Sequence, residues 1–112
     1  MRTAIFVYQT MSINISTNES NLQLCRLNAD TVSLVQGQNT RTIAPGIYKI
    51  VSDQCIDVTG DTAAFDIVVA PNDKDNVPKL PPRLTATSFG PLDVFALQAF
   101  FAVPDAKLAV NP

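Results

Sequence analysis

The chain has 112 residues with a formal net charge of −2, eight Lys and Arg against ten Asp and Glu, two cysteines and no histidine. That length suits one domain rather than two, and it buries somewhat over about 60% of the surface its unfolded chain exposes, so neither metal nor disulfide is required for folding. The slight negative charge, with cations scattered singly from Arg2 to Lys107, argues against a nucleic-acid partner. Charged residues are only 16% of the chain, so its polar surface is mostly the neutral chemistry of Ser, Thr, Asn and Gln.

Residues Met1 to Gln9 carry one positive charge and an apolar run too short for a secretory leader, and no apolar stretch has the length of a membrane span. A cytoplasmic location is the default expectation. Thr3 to Tyr8 reads as a first strand. The competing reading treats residues 1–10 as an upstream extension, with Met11 opening the domain and Ile13 and Ile15 alternating in a weak strand. Thr17 to Asn21 is a polar turn.

Leu22 to Leu27 and Thr31 to Val35, joined through Asn28-Ala29-Asp30, form a predicted hairpin with Leu22, Leu24, Val32 and Leu34 pointing inward. The alternation slips between Leu24 and Leu27, which calls for a bulge or for burial on both faces. Gly37 to Thr40 is expected to turn the chain. Ile43 to Val69 then reads as a three-stranded meander. Its strands are Ile47–Val51, Cys55–Val58 and Phe65–Val69, with Pro45-Gly46 as one turn and Gly60 supplying a positive φ in another. Cys25 and Cys55 both fall within predicted strands. Buried thiols are the first expectation and a disulfide the second.

Residues 70–84 change character, from a charged loop to a proline-rich passage that excludes helix and central strand and favours an extended connection. Leu84 to Phe89 can form a last strand. Gly90-Pro91-Leu92-Asp93 is a helix start, with Pro at N1 and Asp at N3, and the helix spans 91–103 before Pro104. It is apolar nearly all round, so it needs cover on more than one side.

Chemistry is sparse. Without histidine there is no Ser-His-Asp or Cys-His arrangement, and with Glu19 as the sole glutamate the acid–base repertoire reduces to scattered aspartates. No enzymatic activity and no cofactor are expected. Asp57, Asp61 and Asp66 could converge on a cation or sugar, although a solvated sheet face accounts for them as well. Asp73-Lys74-Asp75-Asn76 opens like a calcium loop but lacks the glycine and the closing glutamate. Pro78 to Arg83 has the pattern of an SH3 ligand, and a packed connection explains it equally. The sequons at Asn14 and Asn18 are read as turn chemistry.

The expected fold is one compact, mainly β domain over residues 1–112: an antiparallel β-sandwich or partly open barrel of about six to eight strands, with one short C-terminal α-helix. Two functions follow. The first is a non-catalytic protein–protein interaction or self-assembly module, with Phe95, Phe100 and Phe101 as the candidate interaction surface; the other reading of these aromatics buries the helix within the monomer. The alternative is a small-ligand or carbohydrate-binding β domain using the loops at Ser52–Gln54, Thr59–Thr62 and Asn72–Asn76, for which the lack of tryptophan leaves little aromatic platform.

Overall fold

The structure is a computed structural model that describes residues 1–27, 29, 31–54, 56–71, 81 and 94–102. Among these are eight strands: β1 (Arg2–Val7), β2 (Met11–Thr17), β3 (Gln23–Arg26), β4 (Thr31–Ser33), β5 (Gly37–Ile43), β6 (Gly46–Val51), β7 (Asp57–Thr59) and β8 (Phe65–Ala70). One helix follows, α1 (Val94–Ala102). The strands pair antiparallel in two sheets, in the orders β4-β3-β6-β1-β8 and β5-β2-β7. Both sheets are open, so the architecture is the sandwich and not a closed barrel.

Three layers result, because the larger sheet is buried on both faces. On one side Ile5, Val7, Leu24, Tyr48 and Ile50 meet Met11, Ile13, Ile15 and Ile43 of the smaller sheet. On the other side Ala4, Phe6, Cys25 and Ile47 lie under Leu97, Phe100 and Phe101 of α1. Alternation sends successive residues of β1 into opposite cores, which is why Ala4 to Val7 is an unbroken apolar run. Each fully buried Phe or Ile contributes roughly 1.5–3 kcal/mol of transfer free energy, so both layers stabilise the sheet, the smaller sheet with the larger set of buried side chains.

The first ten residues thus supply an interior strand of the larger sheet, where β1 pairs with β6 and β8 at once. Ser52 N–H donates to Met1 O at 2.8 Å, carrying the pairing to the first residue. The predicted hairpin of β3 and β4 is present in continuous register, and the slip in alternation reflects burial on both faces, with Leu24 and Cys25 in different cores. Val32 departs from expectation: it is 40% exposed, because β4 extends past the smaller sheet.

Three further expectations are corrected. The stretch from Ile43 to Val69 is no meander, since β6 and β8 flank β1 while β7 crosses to the other sheet. The physical reason is that β6 is buried on both faces, whereas β7 has an inward side chain only at Val58. Residues 37–40 do not turn; they begin β5, whose inward position Asn39 is buried and hydrogen-bonded. Gly60 has no positive φ. Crowding favours a glycine there, because a Cβ would meet the tip of Met11 and lie 3.2 Å from Phe65 Cε1 and 3.3 Å from Ser12 O.

Helix α1 is described from Val94 to Ala102, and the expected last residue, Val103, lies outside the described residues. Leu97, Phe100 and Phe101 are buried, and Gln98 and Ala99 are exposed. The helix start at Gly90–Asp93, Cys55, the strand at Leu84–Phe89 and the motifs at 72–76 and 78–83, Pro81 apart, lie outside the described residues.

Candidate functional site

The aspartates do not converge. Asp57 lies on the smaller sheet opposite Ser16, whereas Asp66 belongs to the larger sheet and accepts the Tyr8 hydroxyl at 2.7 Å. Asp61 caps its own turn by accepting Ala63 N–H at 3.0 Å. Among the described residues no three His, Cys, Asp or Glu side chains group closely enough to hold a metal.

Of the aromatic residues expected at an interface, Phe100 is 4% and Phe101 1% exposed. Their rings lie 5.2 Å apart, and Phe101 is 5.8 Å from Phe6 of β1. Both are therefore inside the chain, and the side chain of Phe95 lies outside the described residues. Two fully buried cations complete this layer. Lys49 Nζ donates to Phe100 O at 2.6 Å, and the Arg2 guanidinium donates to Phe101 O and, through Nε and a terminal nitrogen, to Pro71 O at 3.1 and 3.0 Å. The last carbonyls of a helix have no intrahelical donors, and positive charge there complements the helix dipole. Lys49 and Arg2 serve as that cap.

Of the loops expected to bind a ligand, Ser52–Gln54 is held by hydrogen bonds within the chain. Glu19 accepts Asp53 N–H and Gln54 N–H through its two oxygens, each at 3.0 Å, and Ser52 Oγ donates to Gln54 O at 2.6 Å. Thr59–Thr62 is the crowded turn at Gly60, and Asn72–Asn76 lies outside the described residues.

Two other surfaces stand out. The first is the outer edge of β8, which pairs with β1 on one side and with no strand on the other among the described residues. Ile67 and Val69 on this strand are 36% and 51% exposed, beyond the reach of the smaller sheet. The second is the outer face of the smaller sheet. Register places Gln38, Ser16 and Asp57 side by side in one row, and Thr40, Asn14 and Thr59 in the next. Thr40 Oγ1 donates to Asn14 Oδ1 at 2.6 Å, and Thr42 and Ser12 extend the face. At the first row a recess of about 240 Å³ opens, lined by Ser16, Thr17, Asn18, Gly37, Gln38 and Asp57. Gly37 sits at φ 101°, a conformation that favours glycine, and nothing comes within 4 Å of where its Cβ would be.

Sequence reasoning missed this recess because residues 37–40 read as a turn. The alternation of Ser12, Asn14 and Ser16 with Ile13 and Ile15 was the signal for the polar face. The class that fold and surface define is a small antiparallel β-sandwich with a helix on its larger sheet. The chain matches no protein-family model, and no curated protein or solved structure is significantly similar to it.

Proposed function

We propose that this protein is a non-catalytic self-assembly module, and that a second copy of the chain pairs along the outer edge of β8. The observation that carries the reading is the exposure of Ile67 and Val69 on an edge strand with no Lys, Pro or Gly to blunt it. Among the described residues no strand pairs with this edge, and the β-branched run Ile67-Val68-Val69 along it is a template for another strand, of the kind that folded proteins ordinarily guard or pair.

The strand is compatible with its own copy. Antiparallel pairing centred on Val68 sets Ile67 beside Val69 of the partner subunit, and Asp66 beside an alanine rather than beside another carboxylate. Cross-strand pairs of β-branched residues contribute roughly 0.2–1 kcal/mol each, while directly opposed like charges destabilise. Phe100 and Phe101 take no part in this contact, since they are covered within one chain.

The test is molar mass by size exclusion with light scattering over a concentration series, on the full chain and on Val69→Lys. A dimer that Val69→Lys converts to monomer, with unchanged circular dichroism, is the expected result. A monomer at the highest concentration, or a dimer indifferent to Val69→Lys, overturns the reading. Phe101→Asp is unsuitable for this purpose, because it places a charge in the core.

A further inference from the structure

The outer face of the smaller sheet has a composition that solvation alone does not demand. An exposed sheet face of an ordinary domain carries Lys, Glu and Arg among its polar residues. Here the rows Gln38–Ser16–Asp57 and Thr40–Asn14–Thr59 offer five neutral hydroxyl or amide side chains and one carboxylate. Neighbouring strands stand about 4.7–4.9 Å apart and alternate residues about 6.6–6.8 Å along a strand, so side chains of adjacent positions in these rows can reach one ligand of sugar-ring size together. The recess at the first row gives this face a concave end of about 240 Å³.

We infer that the recess between Ser16, Asn18, Gln38 and Asp57 binds a neutral, polyhydroxylated ligand of about monosaccharide size. The face has no cation among the residues of these rows or the recess, which disfavours phosphates, uronates and nucleic acid. Its single carboxylate is too little for a divalent cation, which takes six or more oxygen ligands, several of them commonly carboxylates. A carboxylate is nevertheless a strong acceptor for hydroxyl donors. Asp57 accepts from two adjacent ligand hydroxyls in this arrangement, the amides of Asn18 and Gln38 both donate and accept, and Ser16 does either. Gly37 lines the recess with a backbone that favours glycine, so this part of its wall is bare main chain. With no aromatic residue lining the recess, stacking adds nothing and affinity rests on hydrogen bonds. Dissociation constants are therefore in the millimolar range, about −4 kcal/mol at 1 mM.

The site is separate from the edge of β8, so it can fail while self-assembly stands, and the reverse. The experiment is a titration of the isotopically labelled full chain with glucose, galactose, mannose and N-acetylglucosamine, followed by amide chemical shifts, with glucuronate as the charged comparison. Expected are saturable shifts from at least one neutral sugar, centred on Ser16, Asn18, Gln38 and Asp57 and weaker for glucuronate. Asp57→Asn reduces affinity about tenfold or more, the loss of a hydrogen bond to a charged acceptor. Ser16→Ala reduces it less and keeps the β2–β5 pairing intact. No saturable shift with any of the four sugars at concentrations of about 100 mM overturns the inference, as do shifts centred elsewhere or affinity indifferent to both variants.

Discussion

The ammonium of Lys49 donates a hydrogen bond to the carbonyl oxygen of Phe100 at 2.6 Å and lies 4.9 Å from the centroid of the same residue's ring. One side chain from the larger sheet thus satisfies an orphan carbonyl at the end of α1 and meets the face of an aromatic ring the helix has buried. Both contacts favour a cation, and both are screened from water because Lys49 is fully buried.

Lys49→Met keeps the aliphatic stem and removes only the ammonium. Phe100 O then stays buried without that donor, at a cost of about 1–3 kcal/mol. Urea unfolding should show the loss as a lower midpoint with an unchanged slope. A more stable variant would mean that the desolvation of Lys49 outweighs its hydrogen bond and ring contact.

Gly60→Ala is predicted to destabilise by about 1–3 kcal/mol through overpacking. The new Cβ meets the tip of Met11 and lies 3.2 Å from Phe65 Cε1 and 3.3 Å from the backbone oxygen of Ser12. The methionine tip can move, whereas the ring and the backbone yield less. Gly60→Ala should therefore cost less in a Met11→Ala background than alone, a coupling that a double-mutant cycle in thermal or urea unfolding detects.

Tyr48 donates its hydroxyl to Ala44 O at 2.6 Å, and burial pushes its pKa above the ordinary 10.0, with Arg26 opposing the shift. The folded state therefore favours the neutral phenol. The resulting stability is fully present below the unfolded pKa of 10.0 and is lost as pH rises beyond it, since the unfolded chain then ionises first. Absorbance titration should show one tyrosine ionising late, and Tyr48→Phe should remove that component from the alkaline stability profile.

Asn39 faces inward on β5, where its amide donates to Ile15 O at 3.1 Å and Val35 O at 2.9 Å while accepting Val35 N–H at 2.9 Å. Asn39→Ala leaves Ile15 O buried without this donor and removes the part-buried bonds to Val35, and should cost about 1–3 kcal/mol. Asn39→Asp sets a carboxylate against the two carbonyl oxygens. Its pKa should rise on folding, so this variant should gain stability relative to wild type as pH falls through that raised pKa, measurable by unfolding at pH 7 and pH 5.

Local pattern alone told most of what α1, β1, β2, β3, β6 and β8 are. Runs such as Ala4-Ile5-Phe6-Val7 and Ile13-Asn14-Ile15 state their period and their faces within a few residues. β5 was not legible, because Gln38 to Thr42 has no apolar side chain and Asn39 satisfies its inward position with hydrogen bonds instead. The polar recess was equally hidden, since Ser16, Gln38 and Asp57 meet only through register. Phe100 and Phe101 were recognised as the aromatic side of a helix, but sequence cannot say whether such a side is covered by its own chain.

The sequence by itself determined a small, mainly β chain closed by one helix, poor in charge and without histidine, because composition and periodicity are local properties. Tertiary structure alone decided that β1 lies inside the larger sheet between β6 and β8, that β7 leaves its neighbours for the other sheet, and that Lys49 and Arg2 cap a helix about fifty and a hundred residues away in sequence. Those outcomes depend on which buried faces and unsatisfied backbone groups find each other in space, and no window of neighbouring residues contains that information.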